Sequence, residues 1–307
     1  MSTVCRDGLK IIGLKMKNNS FIWLHRYAQL LTVTTFLLII AGGLVTSTKS
    51  GLSVPDWPLS YGKLMPPMVG GIRYEHTHRM IASLVGLMTL ALALWLGASE
   101  QRRWVRWLGI TAFGAVVIQG ILGGLTVLYL LPAPISIFHA CLAQTFFVLV
   151  MSLAFFTSRE WFMPIQTSVR SGFSDMKPLL LMTMGFTYSQ LILGATLRHT
   201  GNQFIAVSHI VNGFFILIHS GLVMARVLNH YEGDKQLVYP AVFLGFLTLL
   251  QMAFGIGAFI YTIALHEAVQ ISSARVFFVT VHQTLGALLL ATIAFLTLRI
   301  YRKAAIK

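Results

Sequence analysis

The stretch THRMIASLVGLMTLALALWLGA, residues 77–98, opens on His78 and Arg79 and then runs to Ala98 without another charge. At about 1.5 Å of rise per residue, a helix of this length covers about 30 Å, the thickness of a bilayer's hydrocarbon core. Outward from it, comparable runs occur at 28–47, 107–130, 135–157, 178–197, 206–227, 237–262 and 274–298. Hydrophobic residues make up 56% of the 307 residues and charged residues 10%, and mean hydropathy is +0.76. No soluble core hides that much apolar surface, so the expected fold class is an all-α membrane protein with eight transmembrane helices.

The formal charge of +14 does not point to nucleic acid, because the basic residues sit at helix ends. Most of the 23 lysines and arginines fall in alternate segments: the N-terminal arm, the loop with Arg102, Arg103 and Arg106, the 158–177 loop, the segment with Arg226 and Lys235, and the tail. By the positive-inside rule these segments and both termini are cytoplasmic, and the loops at 48–73, 130–135, 198–206 and 262–273 are outside. The expected location is the plasma (inner) membrane of a bacterium. The arm lacks the short apolar core and small-residue cleavage site of a removable signal. With Cys5 in the arm and Cys141 in a span, no disulfide within the chain is expected.

The two halves repeat one another around a linker at 158–177. The first run ends in Gly42-Gly43-Leu44-Val45-Thr46 and reaches Ser50-Gly51, while the fifth ends in Gly194-Ala195-Thr196 and reaches Thr200-Gly201. Gln119, Gly120, Gly123 and Gly124 in the third run answer Gln251, Gly255 and Gly257 in the seventh, where small residues suit close helix packing. The expected organisation is an arm at 1–27, a four-helix bundle at 28–157, the linker, a second bundle at 178–298 and a tail at 299–307. Four spans per half make the repeats parallel, as two pseudo-symmetric four-helix bundles. The halves differ in their first outer loop, which is long at 48–73 and short at 198–206.

Each even-numbered run carries a histidine near its outer end: His78, His139, His209 and His282. An intramembrane ionisable group is costly, and a single such histidine is as well explained by an interhelical hydrogen bond as by ligation. Four at matched depth are not. Two imidazoles facing across a bundle suit the two axial positions of haem iron, and neither pair has the further Cys or carboxylate that structural zinc would need. The simplest pairing is one site per bundle, His78 with His139 and His209 with His282. His76, on another face of its helix, His219, deeper in the membrane, and His199 and His266, in loops, are set apart. His25 and His230 are read as cytoplasmic.

Glu75 precedes His78 by three residues and shares its face, whereas the matching position before His209 is Ala206. A carboxylate beside one site only marks the first bundle as the reactive half. The competing reading pairs Glu75 with Arg79 at i,i+4 near the helix start. Arg73, Arg79, Arg198 and Arg275 lie near the same surface and are candidate partners for haem propionates, or plain interfacial charges.

Gly43-Leu44-Val45-Thr46-Ser47-Thr48, Pro55-Asp56-Trp57-Pro58, Glu75-His76-Thr77-His78-Arg79 and Arg198-His199-Thr200-Gly201 resemble haem A synthases, and the resemblance runs through all eight spans. It implies that the first half takes haem O as substrate between His78 and His139, that Glu75 is catalytic, and that His209 and His282 hold a haem b cofactor. It also implies the reaction: oxidation of a pyrrole methyl of haem O to a formyl group by successive hydroxylations, giving haem A for terminal oxidases. The expected partners are haem O and the farnesyltransferase that makes it, membrane lipid, an electron-transfer protein the sequence does not identify, and a further copy of the chain as a homo-oligomer. Some members carry a cysteine pair in the first outer loop; residues 48–73 have none, so the chain resembles the cysteine-free branch. Two rival readings share the four histidines: a di-haem b-type electron carrier, and a haem transport or chaperone protein. Glu75 and the unequal halves separate the synthase from a carrier, because oxidising a C–H bond needs a proton acceptor near one iron.

Overall fold

A computed structural model of the chain describes residues 18–163, 175–265 and 272–304. Among these, eight helices are long and apolar enough to cross a membrane. They are α1 (Asn18–Ser47), α2 (Ile72–Ser99), α3 (Arg103–Leu128), α4 (Ala133–Phe156), α5 (Met176–Thr200), α6 (Gln203–His230), α7 (Lys235–Phe259) and α8 (Ser273–Ala304). α7 ends in a π-turn, Ile260–Ala264, and a single helical turn, Arg159–Phe162, follows α4. Cys5, His266, the middle of the linker and the end of the tail lie outside the described residues.

Every helix begins before the apolar run that announced it, and α2, α5, α6 and α8 also outlast theirs. Hydropathy stops where lipid stops, but the backbone keeps its hydrogen bonds into the interfacial layer. The overrun corrects one reading. The outer loop expected at 198–206 shrinks to Gly201 and Asn202. Gly201 closes α5 in the left-handed region at φ 64°, with its N–H bonded to Leu197 O, and the Asn202 side chain caps α6 by accepting from the Phe204 and Ile205 N–H groups. Arg198 and His199 therefore belong to the last turn of α5, not to a loop.

In the first half α1 packs on α2, α2 on α3, α3 on α4 and α4 back on α1; in the second α5, α6, α7 and α8 close the same kind of ring. α4 meets α5, and α8 meets both α1 and α4, along the seam. Each ring has its own apolar core, one built on Leu31, Leu92, Leu96 and Leu153, the other on Leu180, Leu237, Leu244 and Ile293. A small cluster of Ile39, Phe147, Ala287 and Ala291 fills the seam. In each even-numbered helix the histidine precedes these core positions, so the packed interior leaves the histidine layer at one end of the molecule. Acids at the opposite end serve as counter-ions: Arg299 holds Glu160, Lys303 holds Asp234 and Arg102 holds Glu100, each at 2.6 Å. Burial pushes the Glu100 carboxyl up, but hydrogen bonds from Arg102 carry it below the usual carboxylate range.

Candidate functional site

The four histidines are seated by one repeated device, built from consecutive helices. Gly42, Gly123, Gly194 and Gly255, on α1, α3, α5 and α7, face His78, His139, His209 and His282 on the helix that follows. A Cβ at those glycines would stand 3.1, 3.3, 3.0 and 2.9 Å from the imidazole Cε1 atoms, so each ring lies directly on a bare stretch of backbone. One turn earlier come Leu38, Gln119, Gln190 and Gln251, whose backbones lie close to the rings of His78, His139, His209 and His282. His282 Nδ1 donates to Gln251 O at 3.0 Å, while the other three Nδ1 atoms are buried without closing a hydrogen bond. At His282 the proton therefore belongs on Nδ1, and the Nε2 lone pair is left for a metal. The glycines at 42, 123, 194 and 255, which the sequence shows as repeated small residues, are thus the seats of the rings.

The rings of His209 and His282 have centroids 6.1 Å apart at an interplanar angle of 72°. Two imidazoles bound to opposite sides of one metal ion, with metal–nitrogen distances of about 2 Å, have centroids about 6 Å apart. The pair fits an iron held between them. His78 and His139 stand within electrostatic reach of each other across the first ring. All four are partly buried, as side chains lining a slot between helices are. Among the described residues no three or more His, Cys, Asp or Glu converge as metal ligands. His219 bonds to Phe215 O within its own helix and packs on Phe186, and His25 bonds to Ala154 O, so both are accounted for structurally.

Glu75 is buried, with 3% of its surface exposed, and both its oxygens are engaged. One takes the Arg79 guanidinium, and the other accepts the Val54 N–H at 2.9 Å. Arg79 donates further to the carbonyls of Val54, Asp56 and Leu59. The i,i+4 pairing weighed from the sequence is therefore present, and its setting adds a purpose: it binds the first outer loop to the start of α2. His76, set apart in the sequence, joins the fastening through Ser60 Oγ, 2.9 Å from its Nδ1. The Asp56 carboxylate accepts from the Tyr61 and Gly62 N–H groups, which hold it below its usual range. At the loop's far side the Trp57 ring lies on Gly124, where a Cβ would come within 2.8 Å of it. Gly124 adjoins Gly123, the seat of His139, so the loop reaches from the His78 helix to the helix beneath His139. Its hydrogen bonds follow no helical or strand period, which is why the sequence does not display them.

The four arginines are placed differently. Arg79 is occupied by the loop, and Arg73 bonds to and packs on Tyr74. Arg198 bonds to Gln283 on α8 and to Ser47 at the end of α1, where Thr280 also bonds. It thus ties both halves together beside His282 and has no carboxylate partner among the described residues. Arg275 lies within electrostatic reach of it. His199, next to Arg198, stands within electrostatic reach of His139 in the other half. The helical register of α5 brings it there, and a loop reading could not.

An eight-helix membrane protein with two facing histidine pairs, one of them roofed by a fastened loop, is the class that fold and site define. The chain belongs to the cytochrome oxidase assembly protein (COX15-CtaA) family, whose profile matches residues 25–70 and 72–213, a span that includes Glu75, His78, His139 and His209. It is similar to proteins named heme A synthase from Bacillus pumilus (strain SAFR-032), at 26% identity over 260 residues, covering 73% of this chain and 82% of the relative. A heme A synthase from Halalkalibacterium halodurans is 23% identical over 308 residues, covering 91% of this chain and 98% of that one. One from Ruegeria pomeroyi is 31% identical over 161 residues, covering 48% and 39%.

Proposed function

We propose that the chain is a haem A synthase of a bacterial plasma membrane, an oxidoreductase that converts the pyrrole methyl of haem O to a formyl group. The observation that carries this reading is the repeated seat: four histidine rings, each laid on a glycine of the preceding helix, two of them with centroids 6.1 Å apart. Family membership and the similarity to named heme A synthases support it further.

In this reading His209 and His282 hold haem b, which supplies one-electron transfer when bound. His78 and His139 receive haem O. Glu75, the carboxylate three residues before His78, serves as the proton acceptor that C–H oxidation requires, and the loop it helps to fasten excludes water from above. Arg198, which stands beside His282 with no carboxylate partner among the described residues, and Arg275 near it are the arginines best placed to meet propionates in the second half. An electron-transfer partner, the farnesyltransferase that supplies haem O and both cytoplasmic termini complete the proposal.

The test is extraction and mass analysis of the haems bound to the purified protein after expression in cells that make haem O. The expected result is haem b together with haem O or haem A. Haem b alone, at two per chain, would instead identify a di-haem electron carrier.

A further inference from the structure

At the end of the molecule opposite the histidine layer, a cavity of about 720 Å³ lies on the seam between the halves, lined by α1, α4, the turn after α4, and α8. Its polar end is positively charged. Arg26 and Arg159 line it with no carboxylate partner among the described residues. Glu160, the acid on the lining, already gives both oxygens to Arg299, at 2.7 and 2.6 Å. Ser158 Oγ accepts the Trp161 N–H and keeps its own proton to donate, and the exposed Gln29 adds an amide. Deeper in the molecule the lining turns apolar, through Val33, Met151 and Phe295, and the Phe155 and Phe295 rings, one from each half, meet edge-on at 5.1 Å. Along α1 the lining runs from Phe21 to Val33, about 18 Å of helix at about 1.5 Å per residue.

We propose that this cavity binds one anionic phospholipid, its phosphodiester between Arg26 and Arg159 and an acyl chain along Val33, Met151 and Phe295. A phosphodiester carries a negative charge and only acceptor oxygens, which matches a lining that offers guanidinium, hydroxyl and amide donors and whose one acid is already paired. Basic pockets between membrane helices hold acidic lipid headgroups on the same grounds. Free inorganic phosphate shares this headgroup chemistry but would fill only the polar end and leave the apolar wall uncovered. A zwitterionic lipid would bring an ammonium group beside two arginines that lack counter-ions, a like-charge contact. Because α1 and α4 belong to one half and α8 to the other, the bound lipid bridges the seam beside the Arg299–Glu160 ion pair and stabilises the docking of the two halves.

The purified full-length protein, washed free of lipid in detergent, is supplied in turn with phosphatidylglycerol, phosphatidylcholine and inorganic phosphate. Phosphatidylglycerol is expected to remain bound in native mass spectra and to raise the midpoint of thermal unfolding, since a ligand of the folded state stabilises it by mass action; the other two should do neither. The double variant Arg26→Gln/Arg159→Gln should bind phosphatidylglycerol about 30-fold more weakly, the loss of two basic contacts. Lys49→Gln/Lys63→Gln removes the same charge from exposed positions at the histidine end and should bind it like the parent. Val33→Trp keeps every charge and fills the apolar wall at a residue 57% exposed, so it should also expel the lipid with the helices intact by circular dichroism. Its result stands even if the arginine pair is needed for folding. Retention of phosphatidylglycerol by Val33→Trp, or by the double arginine variant, overturns the proposal, as does equal stabilisation by phosphatidylcholine. Equal stabilisation by inorganic phosphate would make the ligand a free anion and overturns it too.

Discussion

If His209 and His282 hold haem b as proposed, replacing either by alanine is expected to abolish the haem b spectrum of the purified protein and to lower bound haem b at least about 10-fold. The expectation follows from geometry rather than from the presence of histidine alone. The two rings stand 6.1 Å apart, about the separation that one iron between them would give, and no third His, Cys, Asp or Glu joins them among the described residues. The same logic extends to the seats. Gly255→Leu places a branched side chain where even a Cβ would be 2.9 Å from His282 Cε1, and the helix backbone cannot yield. That variant should keep its helices by circular dichroism yet lose haem b almost as fully as His282→Ala. An unchanged haem b spectrum in His209→Ala and His282→Ala would move the cofactor elsewhere in the molecule. Glu75 and the loop lie in the other half, so haem O uptake by these variants separates loss of one site from loss of the fold.

Much of this arrangement is legible in the chain, and the parts that are not share a physical reason. Eight spans emerge because membrane insertion depends on summed hydropathy, which composition carries directly. The histidine layer emerges because parallel halves put residues near the starts of even-numbered helices at one depth. The ring seats do not, since they depend on which residue of one helix faces a given residue of the next. Gln119, Gly123 and His139 look unrelated until the α3–α4 hairpin is closed, although the four-residue interval from Gln to Gly recurs at 190 and 194 and at 251 and 255. His199 was misplaced by the short overrun of α5 beyond its apolar run. The pairing of Glu75 with Arg79 was visible as spacing, but what decides its role is a set of loop carbonyls at 54, 56 and 59 that no periodicity announces.

Glu75→Ala and Glu75→Gln are both expected to stop the reaction at haem O, so that cells coexpressing either variant with a haem O supplier yield mainly haem O while the protein keeps its haem b. Loss of a positioned proton acceptor costs about 10²–10⁴-fold, enough to leave haem A at trace level. The structure gives this carboxylate a second task, since it also accepts the Val54 N–H and anchors Arg79. Glutamine in its place retains an oxygen for Val54 but cannot accept a proton at neutral pH, so it isolates the chemical part. Arg79→Met does the opposite: it leaves the carboxylate intact and releases the loop from three carbonyl contacts. Partial haem A formation is expected from Arg79→Met, with weaker retention of haem O, because the carboxylate that remains can still take a proton. If Arg79→Met instead falls as far as Glu75→Gln, Glu75 acts by holding the loop in place. If pigment from Glu75→Ala is still mainly haem A, neither role is needed, and the proton must leave by another group; His199, brought near His139 from across the seam, would be the first to examine.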